Sequence, residues 1–273
     1  MGKFDGILFC TDLDGTLYKN DKTISQENKD AIEYFKSNGG YFSYITGRLP
    51  YYSKDVYDIV NPNAPFGCIN GGGVYDGASK KYIFTKEVSF EALELVSYIE
   101  EKLPNVGLQI CGFENTYFAK ENDITIRFRE IAGLENIACD YKTFNLPMGK
   151  IIFCTGIEEE ILLIEKLLKS HKLAHKFDFI RSERTLYEIL PKGVNKALAL
   201  KNLANYLKVD FGKTIAIGDY DNDASMLKFA GLGVAVANAS ALAKESADLV
   251  TVSNEENAIA KIIYDLDKGD IVL

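Results

Sequence analysis

Apolar residues gather in short unbroken runs that stop at polar or glycine positions, at residues 7–10, 41–45, 68–69, 214–217 and 234–236. A run without alternation is the pattern of a strand covered on both faces. Between several runs the apolar positions return at helical spacing. Residues 25–38 carry Ser25 as an N-cap, Ala31, Ile32 and Phe35 on one face, and Gly39 as a stop. Residues 195–207 carry Leu198, Leu203, Ala204 and Leu207 in the same way. Strand-like runs alternating with helices predict a parallel sheet covered by helices.

The middle of the chain reads differently. Residues 84–190 predict a helix at 90–101, alternating stretches at 106–110 and 116–119, and a further apolar run at 150–154. A strongly periodic helix at 158–170 and strands at 177–180 and 186–190 follow. This mixture predicts an α+β insert with an antiparallel sheet. The seams fall at the Asp76-Gly77 turn with its following strand and at Pro191-Lys192-Gly193. The expected organisation is an α/β core at 1–83, an inserted α+β domain at 84–190, and a return to the core at 191–273. No internal repeat, low-complexity tract or long linker interrupts it.

Composition narrows the partners. The 273 residues hold 47% apolar and 26% charged side chains, as in ordinary globular proteins. A net charge of −8 argues against nucleic acid or an anionic membrane as partner, since both favour a basic surface. An anionic small molecule remains compatible if local cations or a metal offset the field. Five scattered cysteines without a Cys-x-x-Cys predict reduced thiols in a cytoplasmic protein. The apolar run before Thr11 is too short for a signal peptide or a membrane span.

Four polar clusters stand where strands or helices should meet. Thr11-Asp12-Leu13-Asp14-Gly15-Thr16 follows the first run and sets two carboxylates one residue apart, either as an acidic turn or as a site awaiting a cation or proton. Thr46-Gly47-Arg48 closes the second run with a hydroxyl, a flexible backbone and a guanidinium; Thr46 and nearby amides suit phosphate oxygens, and Arg48 suits either the site or the surface. Gly218-Asp219-Tyr220-Asp221-Asn222-Asp223 places Asp219 and Asp223 four apart, one face of a helical turn, where a divalent cation would relieve their repulsion. Asp221 should face solvent. Asn195 is an N-cap and Lys196 lies in the first helical turn, an unfavourable place for a cation unless carboxylates or phosphate meet it. Lys192, ahead of the helix, reads as a solvated hinge residue.

In this order, Asp12-x-Asp14-Gly15-Thr16, Thr46-Gly47-Arg48, Gly193-Val194-Asn195-Lys196 and Gly218-Asp219-x-x-Asn222-Asp223 resemble the four motifs of the haloacid dehalogenase superfamily. The insert resembles the large α/β (C2-type) cap of its Cof-type phosphatases. The resemblance covers the whole chain and implies a Rossmann-like core, a mobile cap that closes over substrate, and a Mg²⁺ cofactor. It implies Asp12 as nucleophile and metal ligand, and Asp14 as acid and then base with its carbonyl on the metal. Thr46 would hold the phosphoryl group and Lys196 would neutralise its charge. Asp219 would be a direct metal ligand, supported by Asn222 and Asp223. Gly15 and Gly47 allow the backbone to approach phosphate.

Asn70, in Asn70-Gly71-Gly72-Gly73, is either a contact to substrate or Arg48, or part of a glycine turn. His171 and His175 have the spacing of a metal pair but lie at a predicted helix end without an acidic partner, where the dipole accounts for them. The expected activity is Mg²⁺-dependent hydrolysis of small phosphorylated metabolites, sugar phosphates first, through an aspartyl-phosphate, by a monomer or homodimer. The alternatives are a phosphosugar mutase with the same chemistry, a non-catalytic phospho-ligand binder, and a metal-dependent glycosyltransferase, which leaves Thr46-Gly47-Arg48 and Lys196 unexplained.

Overall fold

In the computed structural model, which describes residues 2–273, the chain divides into two compact units. The first runs to Phe84 and resumes over Asn195–Leu273, and the second is Thr85–Val194.

The first unit is built on a five-stranded parallel sheet. Across it lie Leu249–Val250, Leu232–Ala235, Thr214–Gly218, Leu8–Thr11 and Tyr41–Tyr44. Every residue of Leu8–Thr11 and Thr214–Gly218 is buried, which is why their apolar runs do not alternate. Thr11 stands level with Ile217 on one side and Tyr44 on the other, so three strands deliver their next residues to the same carboxyl edge. That edge is where open α/β sheets bind ligands. The helix Gln26–Ser37 starts as its sequence requires, with the Ser25 hydroxyl accepting from the Asn28 amide at 3.1 Å. It packs on the final helix, Ala258–Lys268, where Asn28 Oδ1 accepts from the Ala260 amide at 3.0 Å.

Residues 68–69 do not extend the parallel sheet. The strand is Phe66–Cys68, paired antiparallel with Gly73–Asp76 in a three-stranded sheet that Lys81–Thr85 completes. A single parallel bridge, Ile45 to Gly67, links it to the end of the second run. The reason is local: Ile69, Asn70 and Gly71 all have positive φ (55°, 53° and 98°) and turn the chain straight back.

The second unit carries a six-stranded sheet in the order Phe177–Glu183, Leu186–Pro191, Lys150–Cys154, Gly107–Cys111, Thr116–Lys120 and Ile137–Ala138. All pairs are antiparallel except the last. Leu108, Ile110, Ile151, Phe153, Tyr187 and Ile189 form one face, and it packs on the helices Ala92–Lys102 and Glu158–Ser170. By strand alternation Gln109, Lys150 and Glu188 belong to the other face. They are buried as well, with Lys150 Nζ and Ser182 Oγ both donating to Glu188 Oε1 at 2.8 and 2.6 Å. At the two ends of this unit, Lys86 Nζ donates to the Lys192 carbonyl at 2.5 Å. Lys192 also pairs with Asp178 at 2.6 Å.

His171 closes the helix Glu158–Ser170 and accepts from the Leu173 amide, while a His175 ring nitrogen meets the Lys172 carbonyl. Neither belongs to a metal-ligating group among the described residues. No helix of the described residues is long and apolar enough to cross a membrane.

Candidate active site

At the carboxyl edge of the parallel sheet, Asp12, Asp219 and Asp223 each offer an oxygen within 4.8 Å of the others. Asp12 leaves the central strand in extended conformation, its amide bound to the Ile217 carbonyl at 2.8 Å. The chain then makes one wide turn, closed where the Tyr18 amide reaches the Leu13 carbonyl at 2.9 Å. Gly15 adopts φ +82° in that turn, and a Cβ there would run into the Asp219 carboxylate. Thr16 Oγ1 donates to Asp219 Oδ1 at 2.8 Å, and Asn238 Nδ2 donates to the Gly15 carbonyl at 2.8 Å. The two loops are thus seated on one another.

Asp223 organises its own loop. Its Oδ2 accepts from the amides of Asp219 and Tyr220, both at 2.9 Å, and its Oδ1 accepts from Lys196. Gly218 leaves room for this, since a Cβ there would lie 2.6 Å from Asp223 Cβ. Asp221 points outward and accepts from Ser240. Lys196 is the first residue of the helix Lys196–Leu207, with Asn195 Oδ1 accepting from the Leu198 amide at 3.0 Å. Its side chain is 1% exposed, and the ammonium donates to Asp12 as well as Asp223. Two carboxylates therefore offset the cost of a cation at a helix N-terminus.

Thr46 is 2% exposed, with its amide on the Gly67 carbonyl at 3.0 Å and its hydroxyl accepting from the Arg48 amide at 3.2 Å. The Asn70 amide donates to the Thr46 carbonyl, and Asn222 Nδ2 donates to Asn70 Oδ1 at 3.2 Å. Gly47 faces the Asn70 amide, where a Cβ would lie 2.9 Å from Oδ1. Asn222, read from the sequence as support for the metal, and Asn70, read as a substrate contact or a turn residue, are therefore direct partners.

Asp14 goes another way. Its carboxylate lies outside the group of three and receives Arg48 along both oxygens, Nη2 at 2.7 and 2.8 Å and Nε at 3.1 Å, with Lys22 Nζ at 2.9 Å. The guanidinium in turn lies over the rings of Tyr18 and Tyr52, at 5.4 and 5.0 Å. Thr16, Asn238, Lys22, Tyr18 and Tyr52 had no assigned role in the sequence; only Thr16 stood inside a recognised motif.

The electrostatics follow from the charge count. Burial and the neighbouring Asp223 charge push the Asp12 carboxyl up against the pull of Lys196, and the same two causes raise Asp219 to about 6. Burial would discharge Lys196, but Asp12 and Asp223 outweigh it and keep the ammonium charged. At Asp14 burial is likewise outweighed, here by Arg48 and Lys22, and its carboxyl falls below the usual range. Fully ionised, three carboxylates against one ammonium would carry two excess negative charges in a confined space, and without a cation Asp12 and Asp219 hold protons more tightly instead. That excess, presented on hard oxygen donors, fits one divalent cation such as Mg²⁺, with Asp12 and Asp219 as the side chains free to hold it.

Residues 9–263 match the family described as haloacid dehalogenase-like hydrolase. The 5-amino-6-(5-phospho-D-ribitylamino)uracil phosphatases YitU and YcsE of Bacillus subtilis are each 29% identical, over 94% of this chain and 96% and 94% of theirs. A haloacid dehalogenase-like hydrolase from Bacteroides thetaiotaomicron superposes with a TM-score of 0.83 at 25% identity, covering 95% of this chain and 99% of its own. The chain belongs to the haloacid dehalogenase-like hydrolases, as a Cof-type phosphoric monoester hydrolase.

Proposed function

We propose that the protein is a Mg²⁺-dependent phosphatase of small phosphorylated metabolites, with sugar and sugar-alcohol phosphates as its substrate class. The observation that carries the reading is the buried junction of Asp12, Asp219, Asp223 and Lys196 at the end of the central strand. In the first step an oxygen of Asp12 attacks phosphorus and the bond to the leaving oxygen breaks; Asp14, which Arg48 and Lys22 favour as the carboxylate in the resting site, takes up a proton on substrate binding and gives it to that oxygen. In the second, water attacks the aspartyl-phosphate, Asp14 takes the proton back, and inorganic phosphate departs with Asp12 restored. Thr46 and the amides around Gly47 hold the phosphoryl oxygens, while Lys196 neutralises charge on phosphate and Asp12. Asp12, Asp219 and the Asp14 carbonyl hold the metal, and Asp223 and Asn222 keep the surrounding loops in place. Bound Mg²⁺ supplies the positive charge that lets an anionic carboxylate approach an anionic phosphoryl group.

The substrate class rests on YitU and YcsE, whose named substrate is a phosphomonoester on a ribityl chain. Five unpaired cysteines, four of them buried, suit a reducing cytoplasm. The test is phosphate release from a set of sugar and sugar-alcohol phosphates with Mg²⁺ and with a chelator. Release should require the metal, and Asp12→Asn should lower kcat by at least about 10³-fold, as loss of a covalent nucleophile does. A set with no release at all would end the proposal. Hexose 6-phosphate formed from hexose 1-phosphate without inorganic phosphate would replace hydrolysis by a mutase.

A further inference from the structure

Arg48 lies in a phosphatase motif, and as a guanidinium its first expected partner is phosphate. The structure gives it a different one. Its Nε and Nη2 lie along both oxygens of Asp14, and Tyr18 and Tyr52 hold the guanidinium plane. The Arg48 amide is itself tied to the Thr46 hydroxyl, so the guanidinium is anchored at its backbone, its faces and its edge. Asp14 has no comparable support of its own. Its own backbone is non-helical at φ −78° and ψ 116°, it precedes Gly15 at φ +82°, and its side chain is 43% exposed. Lys22, the other cation on Asp14, is 67% exposed and contributes little restraint.

We infer that Arg48 is a positioning residue for Asp14, fixing the carboxylate that exchanges a proton with the leaving group, and is not a phosphate ligand. A half-exposed carboxylate beside a glycine samples several rotamers, and a bidentate fork held by two rings selects one of them. The inference rests on the acid role proposed for Asp14.

The test compares 4-nitrophenyl phosphate, whose phenolate departs readily without a proton, with phenyl phosphate, whose phenolate does not. The measured quantity is kcat/KM, which reports events through departure of the leaving group. Arg48→Ala should cost phenyl phosphate about tenfold more than 4-nitrophenyl phosphate, a share of the factor general acids supply. Arg48→Lys keeps the charge under the rings and should fail to rescue, because one ammonium cannot seat along both oxygens. In an Asp14→Asn background, removing Arg48 should cost phenyl phosphate nothing more. Equal losses on both substrates, with raised KM and recovery by Lys, would make Arg48 a phosphate ligand and overturn the inference. So would an undiminished kcat/KM, or a further loss in the Asp14→Asn background. If the phosphatase proposal itself were wrong, the unmodified protein would release phosphate from neither ester, a result distinct from all of these.

Discussion

Gly15 is where the turn after Asp12 meets the Asp219 carboxylate, and nothing larger than hydrogen fits between them. Gly15→Ala combines a strained φ with a displaced Asp219, so activity should fall by about 100-fold, the usual cost of a misplacement near 1 Å. Steady-state kinetics with saturating Mg²⁺ check this. Asp219 also makes metal binding depend on pH. Without metal its carboxyl stays protonated to about 6 in the folded protein, against 3.8 when unfolded. Between those values the folded state binds more protons, so metal-free stability falls as pH rises through that window. Mg²⁺ competes with the same proton, and its increment to the melting temperature should grow across the same range, read by calorimetry with and without chelator. An increment independent of pH would show that Asp219 does not hold the metal. At this scale the sequence was informative where a side chain's position follows from its element. Asp12 ends a buried strand, Lys196 opens a helix, and Asp219 and Asp223 share one tight loop. It was silent where a contact joins distant loops: Thr16 meets Asp219 across 203 residues, Asn238 meets Gly15 across 223, and no periodicity encodes either.

Elements were legible in proportion to how plainly their ends are marked. Glu158–Ser170 follows its apolar period from end to end, and Gln26–Ser37 has both a serine cap and a glycine stop. Asp123–Ile131 is capped by Asn122 and sets Ile124, Phe128 and Ile131 at helical spacing, but it is only nine residues long, buries only Thr125, and is absent from the predicted elements. Ala258–Lys268 is amphipathic, yet it begins at Asn257 in left-handed conformation without a side-chain cap, and its start carries no signal. The run 150–154 concealed something else: its first residue is a buried lysine within a sheet. Removing one member of a buried ion pair costs more than the pair contributes, because the other charge stays behind. Lys150→Met should therefore lower unfolding free energy by about 3–5 kcal/mol, and adding Glu188→Leu should recover most of it. Urea denaturation of the single and double variants measures both. A single variant as stable as the parent would show that no uncompensated buried charge is left behind when Lys150 is removed.

For the whole molecule, unbroken apolar runs separated by helices at the ends and a mixture of alternating stretches and helices in the middle separate two kinds of architecture before any contact is known. What sequence could not supply was the short sheet around Phe66–Cys68, whose direction depends on three consecutive positive φ values. The second unit has a core of its own, drawn from one sheet face and two helices. Residues 85–194 made alone should unfold cooperatively in urea with a dispersed amide spectrum. A collapsed, non-cooperative product would show that the unit borrows its stability from the rest of the chain. The bond from Lys86 to the Lys192 carbonyl draws the beginning and the end of this unit together. A segment whose ends meet can be lengthened, exchanged or rebuilt in a lineage without moving the strands it interrupts. Heritable change in residues 85–194 is thereby uncoupled from the aspartates, and descendants of one chemistry are free to diverge in everything else.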